Sequence, residues 1–384
     1  MAGRTLVITN DFPPRVGGIE SFVLAMVVRM PADRVVVHTA QQPGAAAFDS
    51  TLPFTVVRDP ARIMLPTPRI TRRSEQIARS LGCDSVWFGA AAPLGLMAHR
   101  LTTRAGVRRT VATTHGHEVW WADTPGTRAM LRRIGETTDV MTYLGGYTRR
   151  RIAKALSAGA AARMTQLTPG VDDAVFTPDV PGTEVRRRYG LADRPVVVCV
   201  ARLVERKGQD MLIRSLPLIR RRVPDAAVLI VGDGPQRRPL QKLVEELGLQ
   251  RDVVFTGAKP WAETPAYFAA GDVFCMPTRT RKAGFEVEGL GIVYIEASAC
   301  GLPVVAGASG GAPDAVQDGR TGYVVDGRST EQIAERVSTL LLDKELAGQM
   351  GGAGRRWVEQ RWRWDDLATQ LRSLLCVDGR EPPG

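Results

Sequence analysis

Short apolar runs alternate along the whole chain with longer stretches in which apolar residues recur every three or four positions. In the first half the apolar runs fall at 4–9, 35–38, 54–57, 85–88, 110–114 and 140–142. In the second half they fall at 196–200, 228–231, 253–256, 273–276, 303–306 and 322–325. Runs of this length, rich in Val, Ile and Thr, predict strands, and the intervening stretches predict helices. Strands separated by helices imply parallel sheets with right-handed crossovers. Two such series predict an α/β protein of two doubly wound domains. The boundary is expected near Thr168-Pro-Gly-Val-Asp172 and the Pro- and Asp-rich segment Phe176-Thr-Pro-Asp-Val-Pro-Gly182. The predicted domains are 1–170 and 171–359. A last helix at 360–376, after Trp362-Arg-Trp-Asp365, is expected to cross back and complete the first domain, and the tail from Val377 is expected to fray.

With 384 residues the chain can bury two cores of ordinary size. Its 44% hydrophobic and 24% charged content is that of a soluble globular protein. No signal-peptide pattern is read at Met1-Ala-Gly-Arg4, and the weakly polar run at 89–98 is about half the length of a membrane span. The five cysteines (83, 199, 275, 300, 376) form no C-x-x-C pair and are expected to be reduced thiols of a cytosolic protein. Charge adds a directional cue. Through Val175 there are 22 Lys and Arg against 13 Asp and Glu, a net of +9, whereas from Phe176 onward 29 oppose 27, a net of +2. A basic first half points to an anionic partner, either nucleic acid or an anionic lipid surface.

The richest chemistry lies in Arg281-Lys-Ala-Gly-Phe-Glu-Val-Glu-Gly-Leu-Gly-Ile-Val-Tyr-Ile-Glu296, where a Gly-rich loop opens into a helix. Gly289 and Gly291 let backbone amides approach a ligand, and a helix start suits phosphate. Glu296, two turns in, can accept from vicinal hydroxyls such as a ribose, while Glu288 stands nearer the reacting end. Phosphate cradle, diol clamp and second carboxylate together suggest a nucleotide-sugar site.

Ligands of doubly wound folds bind at the carboxyl ends of strands. The first exit, Asn10-Asp-Phe-Pro-Pro-Arg-Val-Gly-Gly-Ile-Glu20, carries Gly17 and Gly18 at a helix start; a phosphate- or sugar-facing turn and a plain turn are both open readings. Glu20 either faces an acceptor hydroxyl or complements the helix dipole. In Thr113-Thr-His-Gly-His-Glu118, His115 and His117 lack a third ligand at metal-site spacing, so a histidine holding a sugar hydroxyl is preferred to a metal pair. Arg202 and Lys207, with Gly208 relaxing the backbone, can neutralise a diphosphate leaving group. Val228-Leu-Ile-Val-Gly-Asp-Gly-Pro235 starts like a dinucleotide fingerprint, but Arg237 occupies the third glycine position. That argues against NAD; Gly232 and the loop at 257–261 remain candidate walls for a base or ribose. Ser309-Gly-Gly-Ala-Pro313 reads as a packing turn.

These segments together resemble the retaining nucleotide-sugar glycosyltransferases of the GT-B type, whose two Rossmann-like domains face each other across a cleft. Within that family the likeness is to GDP-mannose-dependent enzymes that mannosylate phosphatidylinositol mannosides. It rests on Asp-Phe-Pro-Pro-Arg-Val-Gly-Gly, Thr-His-Gly-His-Glu, Arg-Leu-Val-Glu-Arg-Lys-Gly-Gln-Asp and Val-Glu-Gly-Leu-Gly-Ile-Val-Tyr. Ala201, where many relatives carry Gly, is a departure expected to be harmless. The resemblance implies transfer of mannose from GDP-mannose to the inositol 6-position of phosphatidylinositol monomannoside, giving the dimannoside with retention. It implies donor binding by Gly17, Gly18, Arg202, Lys207, Gly232, Gly289, Leu290, Gly291, Ile292 and Glu296. Glu288, His117, Arg202 and Lys207 are implied as catalytic, and Arg15, Glu20 and His115 as acceptor contacts. No tightly bound cofactor and no structural requirement for a divalent metal are expected. The implied first domain holds the anionic lipid and the second the nucleotide sugar.

The basic first half fits a lipid acceptor. Residues 58–82 hold Ile63-Met-Leu65, then Arg69, Arg72, Arg73 and Arg79 with Ile70, Ile77 and Leu81 interleaved. The pattern predicts an amphipathic basic helix lying on an anionic leaflet, hence peripheral attachment at the cytoplasmic face of the plasma membrane. A same-fold transferase using another nucleotide sugar and a soluble acceptor is the nearest rival. Nucleic-acid binding is disfavoured, because aromatic residues are 6% and only Trp120-Trp121 clusters near a loop.

Overall fold

The computed structural model of the chain describes residues 3–284 and 286–377. It divides into two compact units, one formed by the chain up to Gly170 with the segment from Trp364, the other by Val171–Arg363.

The first unit is built on β1 (Arg4–Thr9), β2 (Val35–Ala40), β3 (Thr55–Asp59), β4 (Cys83–Phe88), β5 (Arg109–Thr113), β6 (Val140–Tyr143) and β7 (Thr165–Gln166). Among the described residues these form one parallel sheet in the order β3-β2-β1-β4-β5-β6-β7. The alternation of strand side chains sends successive residues of β1 to opposite faces. Leu6 and Ile8 enter a core with Ile70, Phe88 and Leu131, while Val7 enters another with Phe22, Trp87 and Val111. The helix Trp364–Leu375 supplies Leu367, Ala368, Leu371 and Leu375 to this second core, so chain from the far end closes the first unit. Arg109 donates from Nε to the Leu374 carbonyl at 2.8 Å, fastening that helix to β5.

The second unit carries β8 (Val196–Val200), β9 (Ala227–Val231), β10 (Val253–Phe255), β11 (Val273–Met276), β12 (Val304–Gly307) and β13 (Gly322–Val325). Their order is β10-β9-β8-β11-β12-β13, all parallel. Every residue of β8, β9, β11 and β12 is buried, as expected of strands covered on both faces. In both sheets the direction of winding reverses beside the first strand, between β1 and β4 and between β8 and β11. Loops leaving those strands therefore diverge and open a crevice at the sheet's carboxyl edge.

The predicted strands agree with these elements to within two residues, and the two doubly wound domains are observed. The short edge strand β7 has no counterpart among the apolar runs. The part of the tail predicted to fray from 378 onward lies outside the described residues.

The helix Pro68–Ser80 corrects the expectation of a leaflet-facing apolar stripe. Thr67 caps it, Pro68 occupies its first turn, and Ile70, Ser74, Ile77 and Ala78 are buried in the unit's own core. The outward face is basic: Arg69, Arg72, Arg73 and Arg79 are exposed. Exposed apolar residues lie instead in the preceding loop, Ile63 at 65% and Leu65 at 52%. No helix among the described residues is long and apolar enough to cross a membrane.

Candidate active site

In the second unit the loop after β8 and the segment after β11 converge. Lys207 is the last residue of a short turn, Glu205–Lys207, that ends at Gly208. Gly208 has φ 77°, and a Cβ there would lie 2.0 Å from the Pro277 carbonyl oxygen, so the two loops approach as closely as backbone permits. Arg279 then grips Asp210 through two hydrogen bonds of 2.8 and 2.9 Å. This brings Lys207 Nζ to 2.6 Å from Glu288 Oε2, an ion pair whose side chains are only 12% and 8% exposed. Arg202 is exposed, makes no ion pair among the described residues, and is anchored through its carbonyl by the Gln209 amide at 3.2 Å. The neighbouring arginine Arg206 has a buried Nε without a hydrogen-bond partner among the described residues.

Glu288, Gly289, Leu290 and Gly291 lead into the helix Ile292–Ala299. The turn Ser309-Gly310-Gly311 braces them. Gly311 donates its amide to the Glu288 carbonyl at 2.8 Å, and Cβ atoms on Gly310 or Gly311 would lie 2.1 Å from the Glu288 and Gly289 oxygens. Beneath Gly291, buried Tyr294 donates to the Met276 carbonyl at 2.7 Å and meets Thr278 Oγ1 at 3.0 Å. The helix start is thus pinned to the end of β11, with its amides available to an anion. On the same helix Glu296 has its carboxyl pushed up to about 7 by burial, opposed by a hydrogen bond from Trp261 in the loop after β10. Gly232, at φ 137°, is held against Ala201, whose carbonyl oxygen would lie 2.0 Å from an added Cβ; close packing explains this glycine.

In the first unit, Gly17 caps the helix Gly18–Val27 and Gly18 opens it with free space where a Cβ would stand. Glu20 is buried and paired to Arg15, which also reaches Asp11 at 2.6 Å. Arg15 and Glu20, both expected to contact the acceptor, are thus bonded to each other. Burial and the nearby Glu20 push the Asp11 carboxyl up, while Arg15, His115 and His117 oppose that rise. That electrostatic coupling links the loop after β1 to the loop after β5. His115 Nε2 lies 2.6 Å from the Gly89 carbonyl, its ring stands edge-on to Phe22, and burial holds its imidazole below the ordinary value. His117 is 39% exposed, with Nε2 3.3 Å from Glu118 Oε1.

The sequence reading missed Glu118 and Asp11 as parts of these clusters, although Glu118 closes the Thr-His-Gly-His-Glu segment and Asp11 opens the Asp-Phe-Pro-Pro one; Trp261 lies in the loop at 257–261, named there as a candidate wall for a base or ribose. Among the described residues no group of three His, Cys, Asp or Glu is placed to hold a metal ion.

Residues 183–357 match the family described as Glycosyl transferases group 1, and residues 16–175 match Glycosyltransferase Family 4. Along nearly its entire length the chain is also 50% identical to a Mycobacterium tuberculosis protein named GDP-mannose-dependent alpha-(1-6)-phosphatidylinositol monomannoside mannosyltransferase, over 98% of each chain. The chain is a group 1 glycosyltransferase. A second relative of this glycosyltransferase, from Corynebacterium glutamicum, is named for the monoacylated form of that acceptor and is 43% identical over 98% of the chain and 99% of its own length. Among solved structures, Anabaena HepE in complex with UDP superposes with a TM-score of 0.78 at 19% identity, covering 96% of this chain and 98% of that one. That likeness shows the GT-B fold.

Proposed function

We propose that this glycosyltransferase moves mannose from GDP-mannose to the inositol 6-hydroxyl of phosphatidylinositol monomannoside, with retention at the sugar's C1. The observation that carries the reading is the end-to-end 50% identity to an enzyme named for that reaction. The geometry of the second unit supports a donor site there. Amides of Gly289, Leu290, Gly291 and Ile292, with Arg202 and Lys207, meet the diphosphate; Glu296 accepts from the ribose hydroxyls, and Trp261 stands beside it. Glu288 orients both Lys207 and the mannose. In the first unit His117 holds a mannose hydroxyl, and the Asp11, Arg15 and Glu20 cluster with His115 lies on the acceptor side.

The bond between C1 and the diphosphate oxygen breaks as the bond from the inositol oxygen forms on the same face. The departing diphosphate takes the hydroxyl proton, leaving GDP and the dimannoside. Cations at the leaving oxygens stabilise the charge that develops there.

The lipid acceptor motivates a peripheral location at the cytoplasmic face of the membrane. Its support is the exposed basic face of Pro68–Ser80 beside Ile63 and Leu65. Residues 58–60, 67–69, 72, 73 and 76 line a groove of about 840 Å³ there.

Transfer of radiolabelled mannose from GDP-mannose to a lipid panel tests the reading, with Glu288→Gln and Lys207→Ala as controls. Label on phosphatidylinositol monomannoside that both substitutions abolish is the expected result. Label reaching only soluble acceptors would overturn the acceptor assignment.

A further inference from the structure

His117 enters the proposed function as a hydrogen-bonding group, so which of its ring nitrogens carries the proton matters. The residue beside it is unusual. Glu118 is fully buried and has no Lys or Arg partner among the described residues. Its Oε2 accepts the amides of His115 at 2.9 Å and Gly116 at 3.2 Å, which fixes the turn between β5 and the helix Glu118–Asp123. Gly116 holds that turn at φ 98°. The other oxygen, Oε1, is buried and accepts no hydrogen bond among the described residues, that of the neighbouring His117 ring included. A carboxylate oxygen withdrawn from water needs a donor. The group in reach is the His117 ring, whose Nε2 stands 3.3 Å away.

We infer that Glu118 is the positioning residue that fixes the His117 tautomer. The carboxylate holds the proton on Nε2, which leaves Nδ1 as the ring's lone-pair nitrogen, able to accept from a sugar hydroxyl. The inference rests on the role given to His117 above, but its physical content, the tautomer, is measurable without substrate. His115 does not compete for this role: its own Nε2 is committed to the Gly89 carbonyl, and the carboxylate reaches it only through its backbone amide. Carboxylate control of a histidine tautomer is a general device wherever a ring must present one chosen nitrogen.

Glu118→Gln separates turn from tautomer. The Gln carbonyl oxygen can still accept the two amides, but its NH₂ group now faces His117 and favours a lone pair on Nε2, moving the proton to Nδ1. The chain contains four histidines, so ring ¹⁵N spectra are assignable with His117→Ala as the reference. In the unaltered full-length protein at pH 8, His117 should show the Nε2–H pattern; in Glu118→Gln it should show Nδ1–H or an average. Transfer should fall roughly 10- to 100-fold, about the worth of one hydrogen bond to the reacting sugar, chiefly in kcat. GDP binding should be unchanged. An Nδ1–H or averaged ring in the unaltered protein overturns the inference whether or not the variant folds, and so does a variant spectrum identical to it. If the tautomer shifts as expected while transfer is indifferent to both Glu118→Gln and His117→Ala, the positioning stands and the assignment of His117 to the sugar fails instead.

Discussion

Glu296 sits on the helix Ile292–Ala299, proposed to meet the donor, with a carboxyl raised from 4.5 to about 7 by burial. Between those values the folded protein keeps a proton that the unfolded chain has lost. The stability linked to this residue is therefore fully present at low pH and declines as pH rises through the window. Glu296→Gln should raise the melting temperature of the ligand-free protein at pH 8, by up to about 3 kcal/mol in free energy, and leave it unchanged near pH 4. GDP-mannose binding should move in the opposite sense. Because a ribose diol needs the ionised acceptor, affinity should weaken by up to about tenfold per pH unit below 7, and calorimetric titrations from pH 5.5 to 8 should show that slope vanish in the variant. The Lys207–Glu288 pair makes a second, separable case. Lys207→Ala leaves a carboxylate buried without its cation, which should cost about 3 kcal/mol in urea unfolding. Lys207→Ala combined with Glu288→Gln should recover most of that stability but none of the transfer activity.

At the scale of elements, the proposed donor cradle is a loop held in shape by a neighbouring turn. Gly311 has an ordinary negative φ of −90°, so strain does not explain it; proximity to the Gly289 oxygen does. Gly311→Ala should push the cradle away, weakening GDP binding at least tenfold by titration, an effect typical of displacements near one ångström, with little change in the circular dichroism spectrum. This brace was not legible in the sequence, where Ser309-Gly-Gly reads as a packing turn, because the partners are 22 or 23 residues apart and meet backbone to backbone. Glu118 escaped notice for a related reason: an acid after two histidines reads as a helix-start residue until its burial is known. The strands were legible because burial on both faces demands uninterrupted apolar runs. The same signal misled at Pro68–Ser80, since Ile70 and Ile77 look identical in sequence whether an apolar stripe faces a core or a membrane.

For the whole molecule, charge distribution is the property that composition reveals and structure refines. The first half carries a net of +9, and part of it is spent internally: Arg58 binds Asp49 and two carbonyls, and Arg69 holds Asp59 with bonds of 3.0 and 2.7 Å. Arg72 and Arg73 are exposed and make no ion pair among the described residues. They are the arginines to reverse. With both changed to Glu, sedimentation with phosphatidylinositol-rich vesicles at low salt should fall roughly 30-fold or more, at about 1 kcal/mol for each basic charge removed from a membrane surface. GDP binding should be retained. Equal sedimentation of the altered and unaltered proteins would remove this face from the membrane.

The return of Trp364–Leu375 to the first unit also has a consequence for biosynthesis. A ribosome delivers β1 to β7 first and the helix that closes their second core later, with all of Val171–Arg363 in between. The sheet of the first unit must therefore wait, with Val7, Phe22 and Trp87 lacking part of their cover, until the codons for Trp364–Leu375 have been read. The downstream unit, contiguous in the message, can reach its folded form first. Slow translation of Val171–Arg363 would lengthen the interval in which that apolar surface is open to chaperones or to aggregation.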